Sequence, residues 1–452
     1  PLDYRQPGGR RIDVVISRVR SAKPAARRGV LLLNPGGPGG SGLALPVLLG
    51  SVAPQGLLDS YDLIGFDPRG VGMSTPVGCG LTDEEKDEVY PWPLPGGVPA
   101  NTAVARRIAD KCGTSPTGGL MPFVTTANTA RDMDVIREAL GEARISYYGI
   151  SYGTYLGAVY ASLFPERTDR FVLDSALDPA GVWSRTLFRA FGPGAEIRFP
   201  DFAKWAAAHD AAYGLGATPE AVRANYFSLA AKLDAQPQNG FTGNMFRQAT
   251  FTALYADDAF PMLAETWRRA ELGTLSSSGG LDPPSADNLV SAQLAVLCGD
   301  TTWPVSPGEY EHDVRVDGHL FPLVGAMAAG PYPCAVWPTP PLEPAVPVTS
   351  NGPANILVVN NLRDPATPYS GAVSMARALG DRAWLVTVDH GGHGAAYLGG
   401  PPDPCAGDTA TRWLVDGKPP SAAESFCAAG DQAAEMSPAR HVVAAEVAKG
   451  WW

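Results

Sequence analysis

The sequence predicts an α/β fold with a mainly parallel sheet, flanking helices and a large, mostly helical insertion, and three observations carry that prediction. Short, continuous apolar runs recur at Val30–Asn34, Leu63–Phe66, Ile145–Gly149, Phe171–Asp174, Ile356–Val359 and Trp384–Val388. Runs of this length, stopped by glycine and proline turns, suit strands buried on both faces of a parallel sheet. Helical stretches such as Thr129–Leu140 and Ser370–Leu379 lie between several of them, the alternation of a parallel sheet. Finally, residues 175–354 separate two neighbouring runs, far more chain than the roughly 30 residues of one βαβ unit.

Taken in order, Arg11–Arg20 alternates polar and apolar residues as an edge strand does. The four apolar runs up to Asp174 then build the first part of the sheet. The long interval reads as helices at Asp201–Ala212, Pro219–Ala235 and Pro261–Leu272, joined by Pro- and Gly-rich loops at Ser276–Pro284 and Pro331–Pro347. The proline run at Pro338–Pro347 reads as a hinge back to the sheet. The expected organisation is a core over 1–178, an inserted cap over 179–350 that roofs the site, and the rest of the core over 351–452.

Bulk composition narrows the function classes. The 452 residues suffice for one large core with an insertion. Acidic residues outnumber basic ones 46 to 35, for a net charge of -11. Such a surface has no electrostatic footprint for nucleic acid or anionic lipid. No apolar run approaches the roughly 20 residues of a membrane span; the stretch Leu43–Gly56 is broken by Pro46, Gly50 and Pro54. The chain starts at Pro1 without a methionine or a signal segment, and a cleaved upstream segment is the expectation. Its six cysteines form no CxxC pair. Six buried thiols is the plain alternative, but the even count and local spacing favour Cys79–Cys112, Cys298–Cys334 and Cys405–Cys427 as disulfides of an exported protein.

The chemistry is carried by Gly149-Ile150-Ser151-Tyr152-Gly153, a G-x-S-x-G pattern that follows a strand and opens a helix of small residues, Thr154–Ser162. That context makes a nucleophile elbow, a sharp turn that lifts the serine above the sheet. The plain alternative is a Gly-Ser turn that merely ends a strand. A serine hydroxyl needs a base. Of His209, His312, His319, His390, His393 and His441, only His390 and His393 follow the last apolar run. His393, in Gly391-Gly392-His393-Gly394, is expected as the base on a flexible loop, and His390 as a packed neighbour of the strand. The acid precedes the histidine in the chain order Ser…Asp…His. Asp364 fits, one strand earlier, in Arg363-Asp364-Pro365-Ala366-Thr367-Pro368; Asp174 is its rival. The loop Asn34–Gly42 is rich in glycine, so backbone N–H groups can approach a tetrahedral oxyanion. The expected donors are the N–H groups of Gly37 and Tyr152. Gly37, Gly39 and Gly42 also match G-x-G-x-x-G, but Pro38 lies inside the loop and no ribose acid is placed, which argues against a dinucleotide site. Asp67–Ser74 reads as a structural turn beside the oxyanion strand. His312 and His319 lack a third ligand in metal spacing, so neither metal nor cofactor is expected.

These motifs resemble a known family. GGPGGSG at 36–42, DPRGVGMS at 67–74, GISYGTYLG at 149–157, RDPATP at 363–368 and GGHG at 391–394 are similar to bacterial secreted tripeptidyl aminopeptidases, serine peptidases of the α/β-hydrolase fold related to proline iminopeptidase. The similarity extends through LYADDAFPMLAE at 254–265 and AVLCGD at 295–300 to Cys427. The resemblance implies Ser151, Asp364 and His393 as the triad and a cap that holds the free amino end of a peptide. Asp257, Asp258 and Asp300 are the acids expected there. Pro35 departs from the histidine that proline iminopeptidases carry at the aligned place. An esterase, amidase or lactonase of small metabolites is the alternative, and a non-catalytic binding protein a weaker one. An epoxide hydrolase or dehalogenase is disfavoured, because Ser151 stands where those need a carboxylate. A monomer acting on a small peptide or small molecule is expected, with no nucleic-acid partner.

Overall fold

The computed structural model describes residues 1–90, 92–94, 96–180, 183–275, 287–399 and 403–429. The loop Ser276–Pro284 and His441 lie outside the described residues. Eight strands form one sheet in the order β1-β3-β2-β4-β5-β6-β7-β8. They are β1 (Ile16–Val19), β2 (Gly29–Asn34), β3 (Tyr61–Phe66), β4 (Ile145–Ile150), β5 (Thr168–Asp174), β6 (Ile356–Arg363), β7 (Ala383–Gly391) and β8 (Glu424–Cys427). Only β1 runs antiparallel to its neighbour. Every residue of β2, β3 and β4 is buried, which is why these strands read as unbroken apolar runs. The fold is an α/β-hydrolase.

Two edge elements differ from the sequence reading. The alternating stretch Arg11–Arg20 contributes only Ile16–Val19, because β3 offers pairing up to Phe66. The chain before it bonds instead to the turn at Ser74 and Thr75, through Val15 N–H to Ser74 Oγ and Asp13 N–H to Thr75 Oγ1, both at 2.9 Å. Strand β8 went unforeseen. It is four residues long with Phe426 facing solvent, too short and too exposed to carry an apolar signature.

Between β5 and β6 the chain forms helices Phe191–Ala208, Pro219–Ala235, Gly243–Ala253, Phe260–Leu272, Asp287–Asp300 and Pro307–Leu320. The first starts ten residues before the expected Asp201 and carries Pro200 within it. These helices have their own core. Phe199, Phe202, Tyr226 and Phe246 surround the buried Trp267, with ring centroids 5.1 to 6.2 Å away. Disulfides join Cys79 to Cys112, Cys298 to Cys334 and Cys405 to Cys427. In the turn after β3, Asp67 accepts from Ser41 Oγ and from Met73 N–H, which ties that turn to the end of the glycine loop.

Candidate active site

Ser151 ends β4 and precedes the helix Tyr152–Leu163, with φ 58° and ψ −127°. Its N–H donates to Asp174 O at 3.1 Å, and its carbonyl accepts from Thr154 N–H at 2.9 Å. The turn is therefore fixed from both sides. A helix N-terminus directly behind the serine favours negative charge there. Gly36, at φ +97°, explains how the glycine loop meets this turn. A Cβ at that position would lie 2.6 Å from Ile150 O and 2.9 Å from Ser151 Cβ. Only glycine lets the loop bearing Gly37 lie against Ser151 and Tyr152. Tyr152 is the first residue of its helix, so its N–H has no carbonyl in a preceding turn to bond.

His393 and Asp364 come together just after β7 and β6. His393 Nδ1 lies 2.9 Å from both carboxylate oxygens of Asp364, and the imidazole residue is 1% exposed. Asp364 is oriented by its own turn: Oδ1 accepts from the N–H groups of Ala366 at 2.9 Å and Thr367 at 2.8 Å, and Oδ2 from the Thr367 hydroxyl at 2.9 Å. With Nδ1 turned to a carboxylate, Nε2 is the nitrogen left to exchange a proton. His390 stays at the end of β7, its Nδ1 against the Gly391 carbonyl.

The loop after β7 is braced rather than slack. Asn361 Nδ2 donates to the carbonyls of Gly392 and Gly394 at 2.9 and 3.1 Å, and Gly394 N–H donates to Ser175 Oγ at 2.7 Å. The glycine at 391 serves close approach, since a Cβ there would lie 2.2 Å from Arg198 Nη1. Asp174, the rival acid, accepts from the N–H groups of Ala395 at 2.8 Å and Ala396 at 2.9 Å and from the Tyr148 hydroxyl at 2.9 Å. Burial pushes its carboxyl up to about 6 against those donors. Its structural part is to hold the loop that bears His393.

Sequence reasoning missed the contribution of the insertion. Tyr255 accepts the His393 N–H at 2.8 Å through its carbonyl and stacks its ring on the imidazole at 4.9 Å. The buried Arg198 donates to Leu254 O at 3.0 Å and pairs with Asp257 and Asp201. Asp201 in turn receives Arg363, which also bonds Asp389. Thr367 closes the Asp364 turn, and its distance of three residues from Asp364 is the sequence signal of a side-chain-stabilised turn.

Of the acids expected to bind an amine, Asp257 faces Arg198 and Asp300 is spent on Thr126. Asp258 lies half-buried in the turn Asp257–Ala259. An aromatic wall continues from Tyr255 through Phe251 to Phe191, in steps of 5.8 and 5.0 Å. Phe191 lines a narrow cleft, together with Tyr90, Phe188, Trp303, Tyr332 and Glu309.

Comparison with known proteins is consistent along the chain. Residues 321–427 match the family model described as TAP-like protein. The chain is 36% identical over 441 residues to a tripeptidyl aminopeptidase of Streptomyces lividans, covering 92% of this chain and 80% of that one. It is 30% identical over 466 residues to the serine protease Hip1 of Mycobacterium tuberculosis, covering 94% and 85%. It is also 32% identical over 448 residues to a carboxylesterase B of the same species, covering 93% and 84%.

Proposed function

Because the chain belongs to the tripeptidyl aminopeptidase family of α/β-hydrolases, we propose that it releases short peptides from a free N-terminus by acyl transfer through Ser151. In this reading Ser151 Oγ attacks the scissile carbonyl while His393 Nε2 takes its proton. Asp364 holds the imidazole tautomer and stabilises the cation that forms. The N–H groups of Gly37 and Tyr152 receive the oxyanion. His393 then gives its proton to the leaving amine, and water repeats the sequence to free the acyl group. The observation that carries this reading is the His393–Asp364 contact, taken with a glycine loop packed on the serine turn.

The helical insertion, taken as a cap over 179–350, supplies the substrate side. The aromatic wall that runs from Tyr255, stacked on His393, through Phe251 to Phe191 is the surface proposed to meet the peptide side chains. Glu309, which lines the cleft with Phe191, and Asp258, three residues along the chain from Tyr255, are the acids proposed to meet the substrate ammonium. The carboxylesterase relative favours a second reading, ester hydrolysis at the same serine. Among the described residues no helix is long and apolar enough to cross a membrane. Three disulfides support export, and we propose a secreted monomer without a nucleic-acid partner. Chromogenic tripeptide amides assayed beside short-chain esters test the reading, with Ser151→Ala as control. Turnover of the amides that vanishes with Ser151 supports the peptidase; turnover of esters alone sinks it in favour of the esterase.

A further inference from the structure

Asp300 closes the helix Asp287–Asp300 of the insertion, is 7% exposed, and takes no part in the steps above. Its Oδ1 accepts the Thr126 N–H at 2.8 Å and its Oδ2 accepts the Thr126 hydroxyl at 2.5 Å. The same hydroxyl lies 2.7 Å from the Tyr152 phenol oxygen. A hydroxyl has one proton to give. With Asp300 ionised, that proton is committed to the carboxylate, and Thr126 Oγ1 accepts from the Tyr152 O–H. The polarity of the chain therefore runs from Tyr152 through Thr126 to Asp300.

Three elements meet in this chain: the end of an insertion helix, the start of the helix Thr126–Ala139, and the first residue after Ser151. Cys298, two residues before Asp300, is anchored to Cys334, and the Tyr152 ring packs near Trp183 at 6.1 Å. The acid is held there against a cost. Burial pushes its carboxyl up to about 7, with Glu343 adding to the rise and the Tyr152 and Tyr155 phenols facing it. A carboxyl held in such a place at a raised pKa points to a task beyond capping a helix.

We infer that Asp300 is a positioning residue for acyl transfer: through Thr126 it fixes the Tyr152 side chain and hence the direction of the Tyr152 N–H at the oxyanion. The inference rests on the reading of Ser151 as nucleophile and of the Tyr152 N–H as a donor. It also explains why an acid of the insertion points to the core instead of to substrate.

Steady-state kinetics on a tripeptide p-nitroanilide and a short-chain p-nitrophenyl ester test it, with competent enzyme counted by fluorophosphonate titration. Asp300→Asn and Thr126→Val are each expected to lower kcat on both substrates about 10- to 100-fold, the scale of a misplaced catalytic group. KM should stay within about twofold, as for an interaction made only in the transition state. Thr126→Ser, which keeps the hydroxyl, should restore kcat. The double variant should be no slower than the slower single, because the two act as one chain. A lower melting midpoint with unchanged kcat per titrated site would reduce Asp300 to a helix cap and overturn the inference. Multiplicative losses in the double variant would overturn it as well. Persistent labelling of Ser151→Ala would instead overturn the nucleophile reading, an outcome the titration separates from the other two.

Discussion

Ser151 holds a backbone conformation that costs a residue with a Cβ about 1–3 kcal/mol, and its neighbours over-determine it. The proposed nucleophile, acid and base could be chosen from the sequence because each combines a residue type with a position after a strand. Asp174 and Asp364 both end strands, and type alone does not separate them. Both accept two backbone N–H groups, and what separates them is that Asp364 meets the His393 imidazole whereas Asp174 meets the Tyr148 hydroxyl. Tyr255 was illegible, since nothing in its sequence neighbourhood says that its ring will lie on His393. If His393 is the base, His393→Ala should fall in kcat nearly as far as Ser151→Ala, on the order of 10⁶-fold, because such residues act as one unit. His390→Ala should retain most activity on a tripeptide amide. The reverse ranking would reassign the base to His390.

The strands that read clearly are those buried on both faces, and the ones that did not are the edges. Strand β1 was drawn too long and β8 was not seen, because an edge strand's extent depends on what its one neighbour offers. The glycines around His393 read as slack, whereas Asn361, Ser175 and Arg198 pack against that loop. The insertion helix Phe191–Ala208 is tied to the catalytic loops through Arg198, Asp201 and Arg363. Removing the guanidinium takes from Asp257 its Arg198 partner, leaves Asp201 with Arg363 and strips Leu254 O of its donor, a change that destabilises more than the pair itself is worth. Arg198→Met is therefore expected to lower stability by about 1–3 kcal/mol and to reduce kcat on amides and esters alike, as the Tyr255 carbonyl shifts from His393. The half-buried pair Arg223–Glu196 provides the control: Arg223→Met should leave kcat unchanged. Equal kinetics of Arg198→Met and wild type, measured beside their urea midpoints, would show that the insertion does not brace the base.

Across the molecule, the buried acids Asp174 and Asp300 give stability a particular dependence on pH. Asp174 sits at about 6 and Asp300 at about 7, both above the ordinary 3.8 because burial disfavours their charge. Asp174 faces His393 and Tyr148; Asp300 faces Glu343, Tyr152 and Tyr155. In both cases the folded chain binds the proton more tightly than the unfolded one. The stability they contribute is complete below about pH 4 and is lost as pH rises through 6 and 7. Urea midpoints from pH 5 to 8 should therefore fall more steeply for wild type than for Asp300→Asn; parallel curves would contradict the assignment. The mainly parallel sheet and the long helical interval between β5 and β6 were both legible, since they follow from the spacing of apolar runs. The use of the insertion's acids was not, because it depends on which carboxylates the packing leaves facing substrate. The central claim is that this enzyme measures from a free ammonium, and the most direct test is kcat/KM for one tripeptide amide with its amino group free and acetylated. Acetylation should cost about 2–5 kcal/mol, the scale of breaking a desolvated charge pair, and Glu309→Gln or Asp258→Asn should reproduce that loss on the free peptide while sparing a small ester. Equal turnover of the blocked and free peptides would contradict the claim and leave an esterase or general amidase in its place.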